Sequence, residues 1–80
     1  MNKEERKERL KELLIKEFRV VIAKSDIKDE TELIMLGVGS YDMLYLGELI
    51  EDRLNVYLPY CWEKEVETFG DLVKVVEEFA

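Results

Sequence analysis

Apolar residues recur at Leu10, Leu13, Leu14, Phe18, Val21 and Ile22 with the spacing of one helix face. Lys3, Arg6, Lys7, Glu8, Lys11 and Glu12 fill the opposite side, and neither glycine nor proline interrupts the run. The pattern predicts a first helix from about Lys3 to Lys24. Its β-branched end, Val20-Val21-Ile22, is only mildly unfavourable to a helix. A loop is expected from Ser25 through Thr31, followed by a short helical turn in the apolar cluster Leu33-Ile34-Met35-Leu36. Gly37-Val38-Gly39 breaks that turn, because glycine lets the backbone bend where a side chain would strain it.

A second helical pattern runs from Ser40 to about Asn55. Met43, Leu46, Gly47, Ile50 and Leu54 share one face, while Asp42, Tyr45, Glu48, Glu51 and Asp52 lie outside it. Ser40 is placed to cap this helix, and Asp42 suits its positive end. Val56-Tyr57-Leu58-Pro59 reads as an extended connector, since a residue before proline avoids the helical region. One helical turn is expected between Tyr60 and Glu67. Thr68-Phe69-Gly70-Asp71 has capping-box spacing, with Asp in place of Glu, and Leu72, Val73, Val76 and Phe79 line a last helix. The sum is an all-α domain spanning residues 1–80: a small four-helix bundle of three main helices and one short one. Met35, Met43 and Trp62 are expected to fill or cover its core. Gly47 allows either close helix approach or room for a bound chain.

Composition narrows the function. The chain has 80 residues and a net charge of −7. Residues 1–24 hold eight Lys/Arg against five Asp/Glu, and residues 25–80 hold four against fourteen. A surface this acidic repels nucleic-acid phosphates and favours partners with basic patches. There is no histidine and only one cysteine, Cys61. That excludes an internal disulfide, a cysteine or histidine zinc site and any Ser-His-Asp or Cys-His catalytic arrangement. Cys61, between Tyr60 and Trp62, is expected to be an inert packing thiol. No apolar run approaches the ~18 residues of a membrane span, and no signal-peptide core is present. A non-enzymatic, cytoplasmic monomer is the expectation, and a start at Met1 with a short tail hints at a free-standing chain.

The stretch from Thr31 to Leu54 resembles the acyl carrier protein family. The family signature Leu-Gly-x-Asp-Ser-Leu-(Asp)-x-x-x-Leu is matched in place by Leu36, Gly37, Ser40, Asp42 and Leu46. Leu58-Pro59 is similar to the Ile-Pro that follows the family's second helix. Thr68-Phe69-Gly70-Asp71 falls where its final helix begins. Three positions depart: Gly39 stands for Asp, Tyr41 for Leu, and Tyr45 for a residue that is commonly acidic.

The resemblance implies that Ser40 receives 4′-phosphopantetheine from coenzyme A through a phosphopantetheinyl transferase. The arm's thiol would then hold acyl intermediates as thioesters for fatty acid or polyketide biosynthesis. It also implies a docking face for acyl-transferring and chain-elongating enzymes with basic patches. That face comprises Tyr41, Asp42, Leu44, Tyr45, Glu48, Glu51 and Asp52. The phosphodiester would be an anion at a helix N-terminus, where backbone N–H groups favour it. Two alternatives stay open: a carrier for aminoacyl, peptidyl or other specialised cargo, and an unmodified acidic helical interaction module in which Ser40 is only a cap.

Overall fold

A computed structural model describes all of residues 1–80. Three helices form the bundle: α1 (Lys3–Phe18), α2 (Met43–Leu54) and α3 (Phe69–Phe79). Short 3₁₀ turns at Lys24–Asp26, Leu33–Leu36, Ser40–Asp42 and Trp62–Glu65 punctuate the connections. The expected all-α bundle is the one observed. The Leu33–Leu36 turn and the single turn between Tyr60 and Glu67 fall where the sequence places them.

Asn2 starts α1 by accepting the Glu5 N–H on its side chain at 2.9 Å. The helix ends at Phe18, with Arg19 in the left-handed conformation (φ 54°), not at Lys24. The sequence expectation of a helix to Lys24 is corrected here: the reversal at Arg19 lets Val20 pack against the core and brings Ile27 into it, which a straight continuation would carry away. The chain turns back instead. Val20 packs against the core, Val21 is 97% exposed, and Ile27 is driven fully inside from the loop.

Periodicity holds well in α2, where Met43, Leu46, Gly47, Ile50 and Leu54 are all buried and Leu49 joins them. Asn55 closes the helix in the left-handed conformation. Over Gly47 lies the Trp62 indole, so this glycine serves close approach by a side chain rather than by another helix. In α3 the expected capping box is present: the Asp71 N–H donates to the Thr68 hydroxyl oxygen, and the Asp71 carboxylate accepts the Thr68 N–H, both at 3.1 Å. Phe69, Leu72, Val73 and Val76 are buried, but Phe79 emerges at the frayed end and is exposed. Met43 is a core residue as expected. Met35 is 77% exposed, because the 3₁₀ turn points Leu33 and Leu36 inward and Ile34 and Met35 out.

Backbone hydrogen bonds tie the long loop to the start of α3. Leu33 N–H donates to the Glu67 carbonyl at 2.9 Å, Phe69 N–H to Thr31 at 2.8 Å and Gly70 N–H to Asp29 at 2.8 Å. Four of the eight cations in residues 1–24 are paired within the fold, Lys11 with Glu8 among them. Arg6 forks onto Glu77 of α3, Lys7 reaches Asp29, and Lys24 bridges Glu8 and Glu12 of α1. No helix is long and apolar enough to cross a membrane.

Candidate functional site at the opening of the second helix

The buried Val38 anchors the segment that leads into α2. Gly39 is the capping residue (φ −86°, ψ 177°), and its N–H donates to the Asp42 carboxylate at 2.9 Å. Ser40 therefore sits inside the first turn and not at the cap, which corrects the sequence expectation. Its carbonyl accepts the Met43 N–H, while the Asp42 N–H donates to the Gly39 carbonyl at 3.0 Å and the Asp42 carboxylate accepts the Gly39 N–H. The physical reason is reach: a carboxylate three residues into the helix spans back to the orphan N–H that precedes it. The Ser40 side chain is left exposed and free of any capping duty. The N–H groups of Ser40 and Tyr41 have no backbone or side-chain acceptor within the chain.

Gly39 itself needs no special backbone freedom, since its φ and ψ are ordinary extended values. A Cβ there would meet only ordinary contacts, 3.6 Å from Asp42 Oδ2 and 3.9 Å from Ile34 Cδ1.

Tyr41, Leu44, Tyr45, Glu48 and Asp52 form one continuous exposed stripe along α2. Tyr41 is 98% and Leu44 66% exposed. Tyr45 is held in place: its ring meets Phe18 edge-on at 5.9 Å, and its hydroxyl donates to Glu17 at 3.2 Å. That carboxylate pushes the Tyr45 phenol above its usual range. Glu48 enters no ion pair, and Asp52 lies 3.7 Å from Arg53. Two of the seven residues grouped from the sequence point elsewhere. Asp42 turns back to Gly39, and the half-buried Glu51 accepts the Leu58 N–H at 3.0 Å, fixing the connector after α2.

Beside Ser40 opens a cleft of about 320 Å³. Leu33, Ile34, Val38, Met43 and Val66 give it apolar walls. Glu32, Glu63 and Glu67 also line it, and no cation does. Sequence reasoning did not find Glu63, because a charged residue in a short turn carries no signal of the direction it faces. A groove of similar volume, about 330 Å³, lies at the opposite end of α2 and is lined mainly by charged side chains. No group of three acidic, cysteine or histidine side chains is placed to hold a metal ion. Cys61 is half-buried beside the Trp62 turn.

No protein-family profile matches the chain. Two characterised proteins are similar to it. Polyketide synthase ThaQ of Burkholderia thailandensis is 37% identical over 57 residues, which is 71% of this chain and 3% of the synthase. The acyl carrier protein of Wolinella succinogenes is 26% identical over 69 residues, 85% of this chain and 88% of that protein. The chain thus spans a small fraction of the synthase but nearly the whole of the carrier. These similarities, together with the bundle, point to the acyl carrier proteins and to a role as a carrier rather than a catalyst.

Proposed function

We propose that the chain is a carrier whose Ser40 is modified with 4′-phosphopantetheine. The observation that supports this most is the state of Ser40. Its side chain is exposed and uncommitted in the 3₁₀ turn that leads into α2, and the Asp42 carboxylate is turned back to the Gly39 N–H. Two unpartnered backbone N–H groups, on Ser40 and Tyr41, lie where a phosphodiester would be held. The residues present therefore fit the group. In the modification the Ser40 oxygen forms the new phosphoester bond, the pyrophosphate bond of coenzyme A breaks, and adenosine bisphosphate leaves. The arm supplies a thiol that holds cargo as a thioester. The chain itself anchors the arm, presents it beside the cleft and offers the α2 stripe to partner enzymes. The similarity to a polyketide synthase supports polyketide enzymes as those partners.

Incubation with a broad-specificity phosphopantetheinyl transferase and coenzyme A, followed by intact mass, tests the proposal. One arm's mass is expected on the unaltered chain and none on Ser40→Ala. Equal masses for both would leave an unmodified helical interaction module as the better reading.

A further inference from the structure

The groove at the far end of α2 from Ser40 is opposite in sign to the chain as a whole. Arg9, Lys16 and Arg53 line it around a volume of about 330 Å³, with Leu13 and Leu54 as its apolar part and Glu12 as its one acid. Glu12 is already engaged, because its carboxylate accepts the Lys24 ammonium at 2.7 Å. Neither Arg9 nor Lys16 enters an ion pair within the chain, although it holds 19 Asp/Glu for 12 Lys/Arg. Arg53 is loosely held, 3.3 Å from Glu17 and 3.7 Å from Asp52. In the groove lined by Lys3, Lys7 and Lys74, by contrast, Asp29 and Glu77 stand among the cations.

Spacing adds a second constraint. Arg9 and Lys16 are seven residues apart on one face of α1, about 10.5 Å along its axis. Leu13 lies between them, and Leu13 and Leu54 keep only 6% and 7% of their surface exposed, so they form a shallow floor. A polyproline-II segment places residues i and i+3 on one side, about 9 Å apart. Carboxylates at that spacing meet Arg9 and Lys16 together, an acid between them reaches toward Arg53, and an aliphatic side chain covers the two leucines. A nucleic acid fits less well, since its phosphates run on past three cations over a chain of net charge −7.

We propose that this groove is a docking site for a short acidic segment of a partner protein, with carboxylates at i and i+3 about an aliphatic residue. It is a second interaction surface, opposite in charge to the α2 stripe. The 12 residues of α2 separate it from Ser40 by about 18 Å, so a partner seated there leaves the Ser40 end open. The proposal goes beyond the carrier reading and stands without it.

Titration of the unmodified 80-residue chain with the peptide Ac-Glu-Glu-Leu-Glu-Glu-amide tests it, read by backbone amide shifts at low ionic strength. Saturable shifts are expected at Arg9, Leu13, Lys16, Arg53 and Leu54 and not from Ser40 to Leu44, with a dissociation constant on the order of 1 mM or below. Arg9→Gln and Lys16→Gln should each weaken binding about two- to fivefold, and the pair together about tenfold. Both side chains are exposed and unpaired, so the variants should keep the original unfolding transition. Replacing the peptide's leucine by serine should weaken binding several-fold, and about 0.5 M salt should abolish it. Because Ser40 is unmodified throughout, failure here leaves the carrier proposal untouched.

An absence of saturable shifts, or shifts centred on Lys3 and Lys74, would overturn the docking site. So would equal affinity for the double variant. An oligothymidylate that moves the same amides at lower concentration than the peptide would make the groove a phosphate site instead. Shifts that grow with chain concentration before any peptide is added would make a second copy the occupant, and either result would overturn the proposal.

Discussion

A methyl group at position 47 would stand 3.0 Å from the Trp62 indole, and one at position 70 would stand 2.9 Å from the backbone oxygen of Asp29. The two contacts differ in what can give way. At Gly47 alanine gains up to about 1 kcal/mol of helix propensity, against about 1–3 kcal/mol for forcing a group into a packed interior. Gly47→Ala is expected to lower the thermal midpoint modestly as the indole shifts. At Gly70 the obstacle is main chain that also accepts the Gly70 N–H at 2.8 Å, so the displacement breaks a tie between loop and helix. Gly70→Ala should lower the midpoint more than Gly47→Ala, and the reverse order in a melt would refute this assignment of strain. Nothing in the local sequence distinguishes these glycines from each other, because the atoms that constrain them come from residues 15 or more positions away.

At the level of the element, α3 is held at its start by four hydrogen bonds around Thr68 and Asp71. Losing the hydroxyl in Thr68→Ala should cost about 1 kcal/mol, or roughly 4–8 °C, readable by circular dichroism. The Asp71 carboxylate accepts the N–H groups of Glu67 and Thr68, and these bonds hold its pKa below the usual carboxylate range. The Arg6 guanidinium does the same for Glu77 near the other end of α3. The folded state binds these protons more weakly than the unfolded chain, so stability falls as protons are added. The contribution is complete above the ordinary carboxylate range and disappears as pH falls through and below it. Urea midpoints measured from neutral pH down to about pH 3 should decline. Asp71→Asn should remove part of that decline and also lose stability at neutral pH. A variant with the same slope as the original would show that the cap is electrostatically idle. This cap was legible in the sequence because both partners lie within four residues of each other. The end of α1 was not, because helical spacing continues through Val21 and Ile22, whereas the reversal at Arg19 serves the packing of Val20 and Ile27 on residues distant in sequence.

For the whole molecule, the net charge of −7 conceals a division of labour. Arg6 and Lys7 of α1 pair with Glu77 and Asp29, Lys11 pairs with Glu8 of its own helix, and Lys24 beyond it bridges Glu8 and Glu12. The α2 stripe keeps Glu48 free of any ion pair, next to exposed Tyr41, Leu44 and Tyr45. Such an arrangement suits encounter with a basic enzyme surface, with the apolar side chains making the close contacts. Glu48→Lys is expected to reduce the rate at which a transferase loads Ser40, by up to about tenfold at low salt and less at high salt. The unfolding free energy from urea titration should stay within about 0.5 kcal/mol of the original, since an exposed, unpaired side chain contributes little to stability. An equal loading rate at every salt concentration would remove Glu48 from the docking surface. Loss of the cooperative transition would contradict its placement on the exterior.

The all-α class, the register of α2, the cap of α3 and the location of Ser40 at a helix opening were determined by the sequence alone. Each depends on periodicity or on hydrogen bonds that close within one helical turn, so a short window of residues contains its cause. The stopping point of α1, the burial of Ile27, the indole over Gly47 and the cleft beside Ser40 were decided by the tertiary structure. Their causes are contacts between segments far apart in the chain, inside a volume whose limits no single segment encodes. The exposure of the Ser40 hydroxyl follows from the same local turn, in which Gly39 takes the capping position and Ser40 falls just inside it.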